Sequence, residues 1–89
     1  MPDTVTVELF GIPRARAGVA VTTAKGRFLG EVLAELATRF PLLAQTCIDG
    51  HQLRPGFTAN IGGNQFVTDP ETPLSNGDTI LLLSLDAGG

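Results

Sequence analysis

The sequence contains few of the residues from which catalytic and metal sites are built. Its 89 residues include one cysteine, Cys47, one histidine, His51, and neither tryptophan nor tyrosine. A single cysteine excludes an internal disulfide and any site with several cysteine ligands. Gly50 interrupts the chain between Cys47 and His51, and no third group is placed to orient a nucleophile and base pair. We therefore predict no catalytic residue and no bound metal, with Cys47 buried as a small apolar side chain and His51 in a loop.

Basic residues and long apolar runs are also scarce. Six lysines and arginines stand against nine acidic residues, for a net charge of −3, so a nucleic-acid partner is not expected. No apolar stretch approaches the roughly 20 residues of a membrane span, and the first residues lack the pattern of a secretory signal. We predict no membrane partner and a cytoplasmic location. Arg14 and Arg16 lie close together in a turn, which more often indicates a solvated loop than a binding patch, and an anionic ligand there is the weaker alternative.

Cofactor motifs are missing as well. Gly62-Gly63 has neither the spacing nor the lysine of a phosphate-binding loop, so it is interpreted as a turn. No cofactor is expected on this chain.

Alternating apolar residues predict the first strands. From Thr4 to Phe10 the pattern has period two and places Val5, Val7 and Leu9 on one buried face. A break at Gly11-Ile12-Pro13 and a loop that closes at Gly18 precede a second strand over Val19–Thr22. The two strands are predicted to form a hairpin with a long loop.

A helix is predicted between Phe28 and Phe40. Its apolar residues recur at helical spacing and form one stripe: Leu29, Val32, Leu33, Leu36 and Phe40. Charged residues at every fourth position mark the solvated side, where Glu35 precedes Arg39 in the favourable orientation. Pro41 ends this helix, and residues 42–48 are expected to add at most a short second turn.

Short strands are predicted in the second half of the chain. Phe57–Ile61 and residues 66–68 are predicted strands, Leu74 a core anchor, and Asn76-Gly77-Asp78 a tight turn. The last strand, residues 79–85, is apolar at successive positions, which favours a central strand covered on both faces and placed beside the first. The order of elements predicts an α+β fold in which one main helix covers one sheet.

The sequence finishes with Asp86-Ala87-Gly88-Gly89. Two glycines without Cβ atoms could pass through a slot too narrow for other residues. We predict a domain over residues 1–85 and a flexible tail over 86–89 that threads into a partner and presents the Gly89 carboxylate.

Several of these segments together resemble the MoaD/ThiS family of ubiquitin-like sulfur carriers. The resemblance is carried by the following segments: Val7-Glu8-Leu9-Phe10-Gly11 with Arg14 and Gly18, the apolar helix that leads to Phe40-Pro41, the turn Leu74-Ser75-Asn76-Gly77-Asp78, and Gly88-Gly89. It implies a β-grasp (ubiquitin-like) fold with a mixed sheet of four to five strands packed on one main helix.

The resemblance also implies a function for the tail. A ubiquitin-activating-like adenylyltransferase would use ATP to adenylate Gly89, and a sulfur source such as a cysteine desulfurase or rhodanese-like protein would convert it to a thiocarboxylate. A synthase would then accept the sulfur in the biosynthesis of molybdopterin, cysteine, thiamine or a sulfur-containing secondary metabolite. The chain would be a co-substrate of these enzymes and not an enzyme itself.

Two alternatives stay open at this point. A ubiquitin-like modifier would join Gly89 to lysine amines through the same adenylate, and a plain interaction module would not use the diglycine. The approach to the tail also departs from the molybdopterin-type pattern, in which a proline-containing apolar segment is common. Asp86 in this segment favours a partner with a basic rim.

Overall fold

The computed structural model describes residues 3–85, which form three helices and seven strands. The strands are β1 (Thr4–Leu9), β2 (Val21–Lys25), β3 (Ile48–Asp49), β4 (Gln52–Leu53), β5 (Phe57–Ile61), β6 (Gln65–Val67) and β7 (Thr79–Ser84). The helices are α1 (Gly11–Ala17), α2 (Leu29–Arg39) and α3 (Pro41–Cys47). The predicted tail, residues 86–89, lies outside the described residues.

Five strands form one mixed sheet in the order β2-β1-β7-β5-β6. Strand β7 lies at its centre, parallel to β1 and antiparallel to β5, while β1 pairs with β2 as an antiparallel hairpin. The predicted α+β class, the mixed sheet and the central position of the last strand beside the first are thereby confirmed.

The core lies between one face of this sheet and the helices. Strand residues Val5, Val7 and Leu9 are buried together with inward residues of β7. The α2 stripe is confirmed, with these four side chains fully buried: Leu29, Val32, Leu33 and Leu36. Phe40 is half-buried at the junction of α2 and α3. Helix α3 extends the layer with Leu43 and Cys47. The short turn predicted after Pro41 is therefore a complete helix of its own.

The charged side of α2 also joins the helix to β2. Arg39 forms the predicted pair with Glu35, with 2.9 Å between Nη1 and Oε2, and it donates to Thr22 Oγ1 and to the Thr23 carbonyl. Glu35 accepts a hydrogen bond of 2.9 Å from the Lys25 amide. This side of the helix is therefore more than a solvated surface, because it fixes an edge strand to the helical layer.

Three predictions of local structure are wrong. The connection between β1 and β2 holds a helix, α1, because Pro13 falls in its first turn, where a missing N–H breaks no helical hydrogen bond. Strand β2 runs over Val21–Lys25 instead of Val19–Thr22 because its start follows the α1 cap at Gly18. The segment after α3 contains the small β3–β4 hairpin, where only a loop was expected.

The prediction that β7 is covered on both faces is also wrong. Ile80 and Leu82 point into the core, but Leu81 and Leu83 lie on the opposite face and are only half-buried. The buried side chains of the three helices all belong to, or adjoin, the cluster on the inner face. The sheet therefore has an inner face under the helices and an outer face on which β7 presents leucines.

Candidate functional site

The predicted site residues follow directly on the central strand of the sheet. On one side, the Phe10 amide donates a hydrogen bond of 3.1 Å to the Leu82 carbonyl, and on the other the Leu85 amide donates one of 2.8 Å to the Gly56 carbonyl. The chain is thus held in the sheet up to Leu85. Asp86, Ala87, Gly88 and Gly89 lie outside the described residues, so their predicted roles stay predictions.

A row of outward residues crosses the sheet beside this end of β7. The strand registers pair Val21 with Glu8, Glu8 with Leu81, Leu81 with Asn60, and Asn60 with Phe66. The two ends of the row are apolar side chains in solvent, with Val21 57% and Phe66 67% exposed. Leu81 at its centre is half-buried.

More apolar residues lie closer to the tail. Leu83 faces outward two residues after Leu81. Phe10, the residue after the end of β1, lies beside Leu83 and is exposed. Leu85, the last described residue, is 62% exposed. We name this set the outer patch: Phe10, Val21, Phe66, Leu81, Leu83 and Leu85. Water is excluded from apolar contacts of this kind when a partner covers them, so the outer patch is a surface suited to protein docking.

Two polar side chains, Glu8 and Asn60, lie within the row that crosses the outer face. Glu8 is half-buried between Val21 and Leu81 and makes no ion pair within residues 3–85. Asn60 is 4% exposed, and its Oδ1 atom is buried without a hydrogen-bond partner. Thr58, next to it along β5, is also buried, but its hydroxyl donates to the Val67 carbonyl over 3.2 Å. The row from Val21 to Phe66 therefore presents one carboxylate and one unpaired amide oxygen among apolar side chains.

The other residues considered from the sequence do not form a site. Cys47 is buried, and desolvation raises the pKa of its thiol to about 11 from an ordinary 9.0, although Arg16 and Arg54 partly oppose the shift. His51 is exposed in the turn between β3 and β4. Cys47 therefore behaves as the predicted small apolar side chain, and within residues 3–85 no group of His, Cys, Asp and Glu side chains could hold a metal ion.

Arg14 and Arg16 lie on α1 instead of in a turn. Arg14 lines a shallow open cleft of about 480 Å³ between the ends of α1 and the residues before β2. A single exposed arginine gives this cleft little power to select a ligand. No helix in the described part of the chain is long and apolar enough to cross a membrane.

The fold has known relatives among solved structures. Small archaeal modifier protein 1 (SAMP1) from Methanosarcina acetivorans is 26% identical, with a TM-score of 0.79 over 100% of this chain and 99% of that one. A chain of the Amycolatopsis orientalis BexX/CysO complex is 24% identical, with a TM-score of 0.78 over 96% and 99%. Subunit 1 of a Pyrococcus furiosus molybdopterin converting factor is 18% identical, with a TM-score of 0.73 over 92% and 97%.

The chain has the ubiquitin-like β-grasp fold that these structures share. The fold predicted from the resemblance is thereby confirmed across nearly the whole length of these relatives. No protein-family model matches the sequence, and no curated protein matches it either. The similarity is therefore carried by the fold.

The outer patch is what the sequence interpretation missed. Leu81 and Leu83 were interpreted as buried under a second layer, although the sequence contains one amphipathic helix and so only one covering layer. That mismatch was the available signal. A strand with apolar residues on both faces, in a sheet that helices cover on one face only, leaves an exposed apolar surface. Asn60 had no signal, because only the register places it between Leu81 and Phe66.

Proposed function

We propose that this protein is a sulfur carrier whose Gly89 carboxylate is activated by a ubiquitin-activating-like adenylyltransferase. The carboxylate would attack the α-phosphate of ATP on that enzyme and release pyrophosphate. A persulfide on a desulfurase or rhodanese-like protein would displace AMP from the acyl adenylate, and a thiol would then cleave the resulting S–S bond to leave a thiocarboxylate. A synthase would accept the sulfur, and the chain would act as a co-substrate without catalysing a step.

One observation carries this proposal: the central strand is held in the sheet up to Leu85, next to the outer patch and four residues before Gly89. A partner that covers the patch would receive the following residues in a defined direction. Four extended residues reach at most about 14 Å, which is enough to place a carboxylate in a deep site while the folded part stays outside. The names of the relatives, a CysO complex and a molybdopterin converting factor, support the same class of function.

Mass spectrometry of the isolated protein tests the proposal. The chain is expressed with and without the adenylyltransferase and sulfur source of its own organism, and the intact mass is measured. We expect a gain equal to the exchange of one oxygen for sulfur, located by fragmentation at Gly89 and absent from a variant that lacks Gly88 and Gly89. An unchanged mass in the presence of both enzymes, with ATP, would contradict the proposal.

Conjugation to proteins is the second candidate, and one similarity favours it. The relative at 26% identity is a small archaeal modifier protein. In that case the acyl adenylate would pass Gly89 to a lysine amine instead of to sulfur. Immunoblots of cell extract would show a ladder of larger conjugates that disappears when Gly88 and Gly89 are removed, whereas a dedicated sulfur carrier would appear as one band.

A further inference from the structure

Asn60 is unusual among the buried residues of this protein. Its Oδ1 is the one buried side-chain polar atom in residues 3–85 that lacks a hydrogen-bond partner. A buried acceptor that has lost its water and found no donor lowers the stability of the fold, and an apolar side chain of similar size would avoid this cost. Nothing within the described chain compensates for it.

The position of Asn60 indicates where a donor could come from. The residue faces outward from β5, opposite to Ala59, which lies in the core. Its direct neighbours across the sheet are Leu81 on the central strand and Phe66 on the short edge strand β6. Phe66 is two-thirds exposed, so few contacts restrict its ring. A partner that covers the outer patch would then meet the amide at its centre.

A second polar group sits on the same row. Glu8 is on the other side of Leu81, so two strand spacings, about 10 Å, separate its backbone from that of Asn60. Glu8 has no cationic partner among the described residues, and Asp86 adds a second carboxylate just after Leu85 in the sequence. Both favour a partner surface that carries positive charge.

We propose that Asn60 is a specificity-determining residue for binding at the outer patch. Its Oδ1 atom accepts an N–H hydrogen bond from an apolar protein surface that also places a cation opposite Glu8. This inference rests on the proposed function and assigns that surface to the adenylyltransferase. Apolar contacts with the outer patch provide the buried interface area. The single buried acceptor disfavours apolar partner surfaces that offer it no hydrogen-bond donor.

Kinetics of ATP–pyrophosphate exchange by the adenylyltransferase of the same organism test this assignment. Asn60→Leu removes the acceptor and keeps the bulk, and Asn60→Val repeats the test with a strand-forming residue that also lacks an acceptor, should the leucine variant fold poorly. Asn64→Leu, at an exposed position in the turn that follows β5, is the matched control. We expect KM for the carrier to rise roughly tenfold in both Asn60 variants, with kcat unchanged, and to stay at the wild-type value in Asn64→Leu.

Two further readouts distinguish recognition from a structural role. Asn60→Leu is expected to unfold at a higher temperature than the wild type, and the Asn60 side-chain amide signals of ¹⁵N-labelled protein should shift when the enzyme is added, unlike those of Asn64. Normal exchange with an unchanged KM in the Asn60 variants would overturn this inference alone. An enzyme that does not activate the wild-type chain would overturn the proposed function, and the inference with it.

Discussion

The amide of Leu85 donates a hydrogen bond of 2.8 Å to the carbonyl of Gly56, and this bond is the last that the structure describes before Asp86. Gly56 has a φ angle of +95°, a conformation that side chains other than glycine rarely adopt. The hydrogen bond that holds Leu85 therefore depends on a glycine in the turn before β5.

The first prediction concerns this anchor. Gly56→Ala should destabilise the fold by about 1 kcal/mol because an alanine is strained at positive φ. Gly63→Ala, with a φ of +80° and equally open surroundings, should cost a similar amount. In hydrogen exchange, only Gly56→Ala is expected to reduce protection of the Leu85 amide. Equal loss of that protection in both variants would mean that the bond does not depend on the local turn.

The tail itself gives the second prediction. Gly88→Ala adds a Cβ where a confined slot has no room, and an extra alanine after Gly89 moves the carboxylate by about 3.5 Å. Since a misplacement of about 1 Å can cost on the order of a hundredfold in rate, both changes should nearly abolish ATP–pyrophosphate exchange. Thermal unfolding should be unchanged. Equal exchange rates for the two variants and the wild type would exclude threading of the diglycine.

The third prediction tests the outer patch. Phe66→Ser removes its most exposed aromatic ring and should weaken binding to the adenylyltransferase by about tenfold, with less than about 0.5 kcal/mol lost in stability. Leu42→Ser on α3 is the control, since that leucine is 59% exposed but lies on the helical side of the protein. Calorimetric titration measures both affinities. A similar loss for Leu42→Ser would show that binding responds to general surface polarity.

Cys47 provides a prediction about pH. Its thiol has a pKa of about 11 in the folded chain against an ordinary 9.0, so between these values the unfolded chain ionises first and is favoured. The free energy of unfolding should therefore fall as the pH rises from about 9 towards 11, more steeply in the wild type than in Cys47→Ala. Denaturant melts between pH 7 and 11 measure the difference. Parallel curves would show that the thiol is not desolvated.

Cys47 should also be dispensable for sulfur transfer, because a protonated thiol is a poor nucleophile. We expect Cys47→Ala to form the thiocarboxylate at the wild-type rate. Loss of the sulfur-containing mass in a folded Cys47→Ala protein would instead indicate that a persulfide passes through this residue.

The core gives the last prediction. Leu36 is fully buried under the sheet, and Leu36→Ala should cost roughly 2 to 5 kcal/mol through lost burial and a residual cavity. Leu42→Ala removes the same atoms from an exposed leucine and should cost less than about 0.5 kcal/mol. Denaturant unfolding compares the two. A small effect at Leu36 would contradict the helical register.

Local patterns were sufficient for most of the elements. The alternation in β1 and the helical spacing of α2 repeat over enough residues to identify both the element and its buried side. Helix α1 was not predicted, because its seven residues are too few to show a clear period and include Pro13. The two-residue strands β3 and β4 have no period at all, and their pairing follows from the turn between them.

The outer face of the sheet shows most clearly what local sequence patterns cannot predict. The apolar character of β7 could be predicted from its residues, but the register with β1 and β5 and the number of covering layers decided which leucines face solvent. Asn60 is an ordinary polar residue in the sequence. Its burial between Leu81 and Phe66 exists only after strands distant in the chain have paired.

The sequence by itself determined the class of fold and the buried sides of β1 and α2, because these depend on periods and residue types within short segments. Its resemblance to a known family implied the candidate role of Gly89, which stays a prediction. The tertiary structure decided the outer patch, the isolation of Asn60 and the raised pKa of Cys47. Those properties arise from desolvation by residues far away in the chain, and desolvation is set by packing, which no local pattern contains.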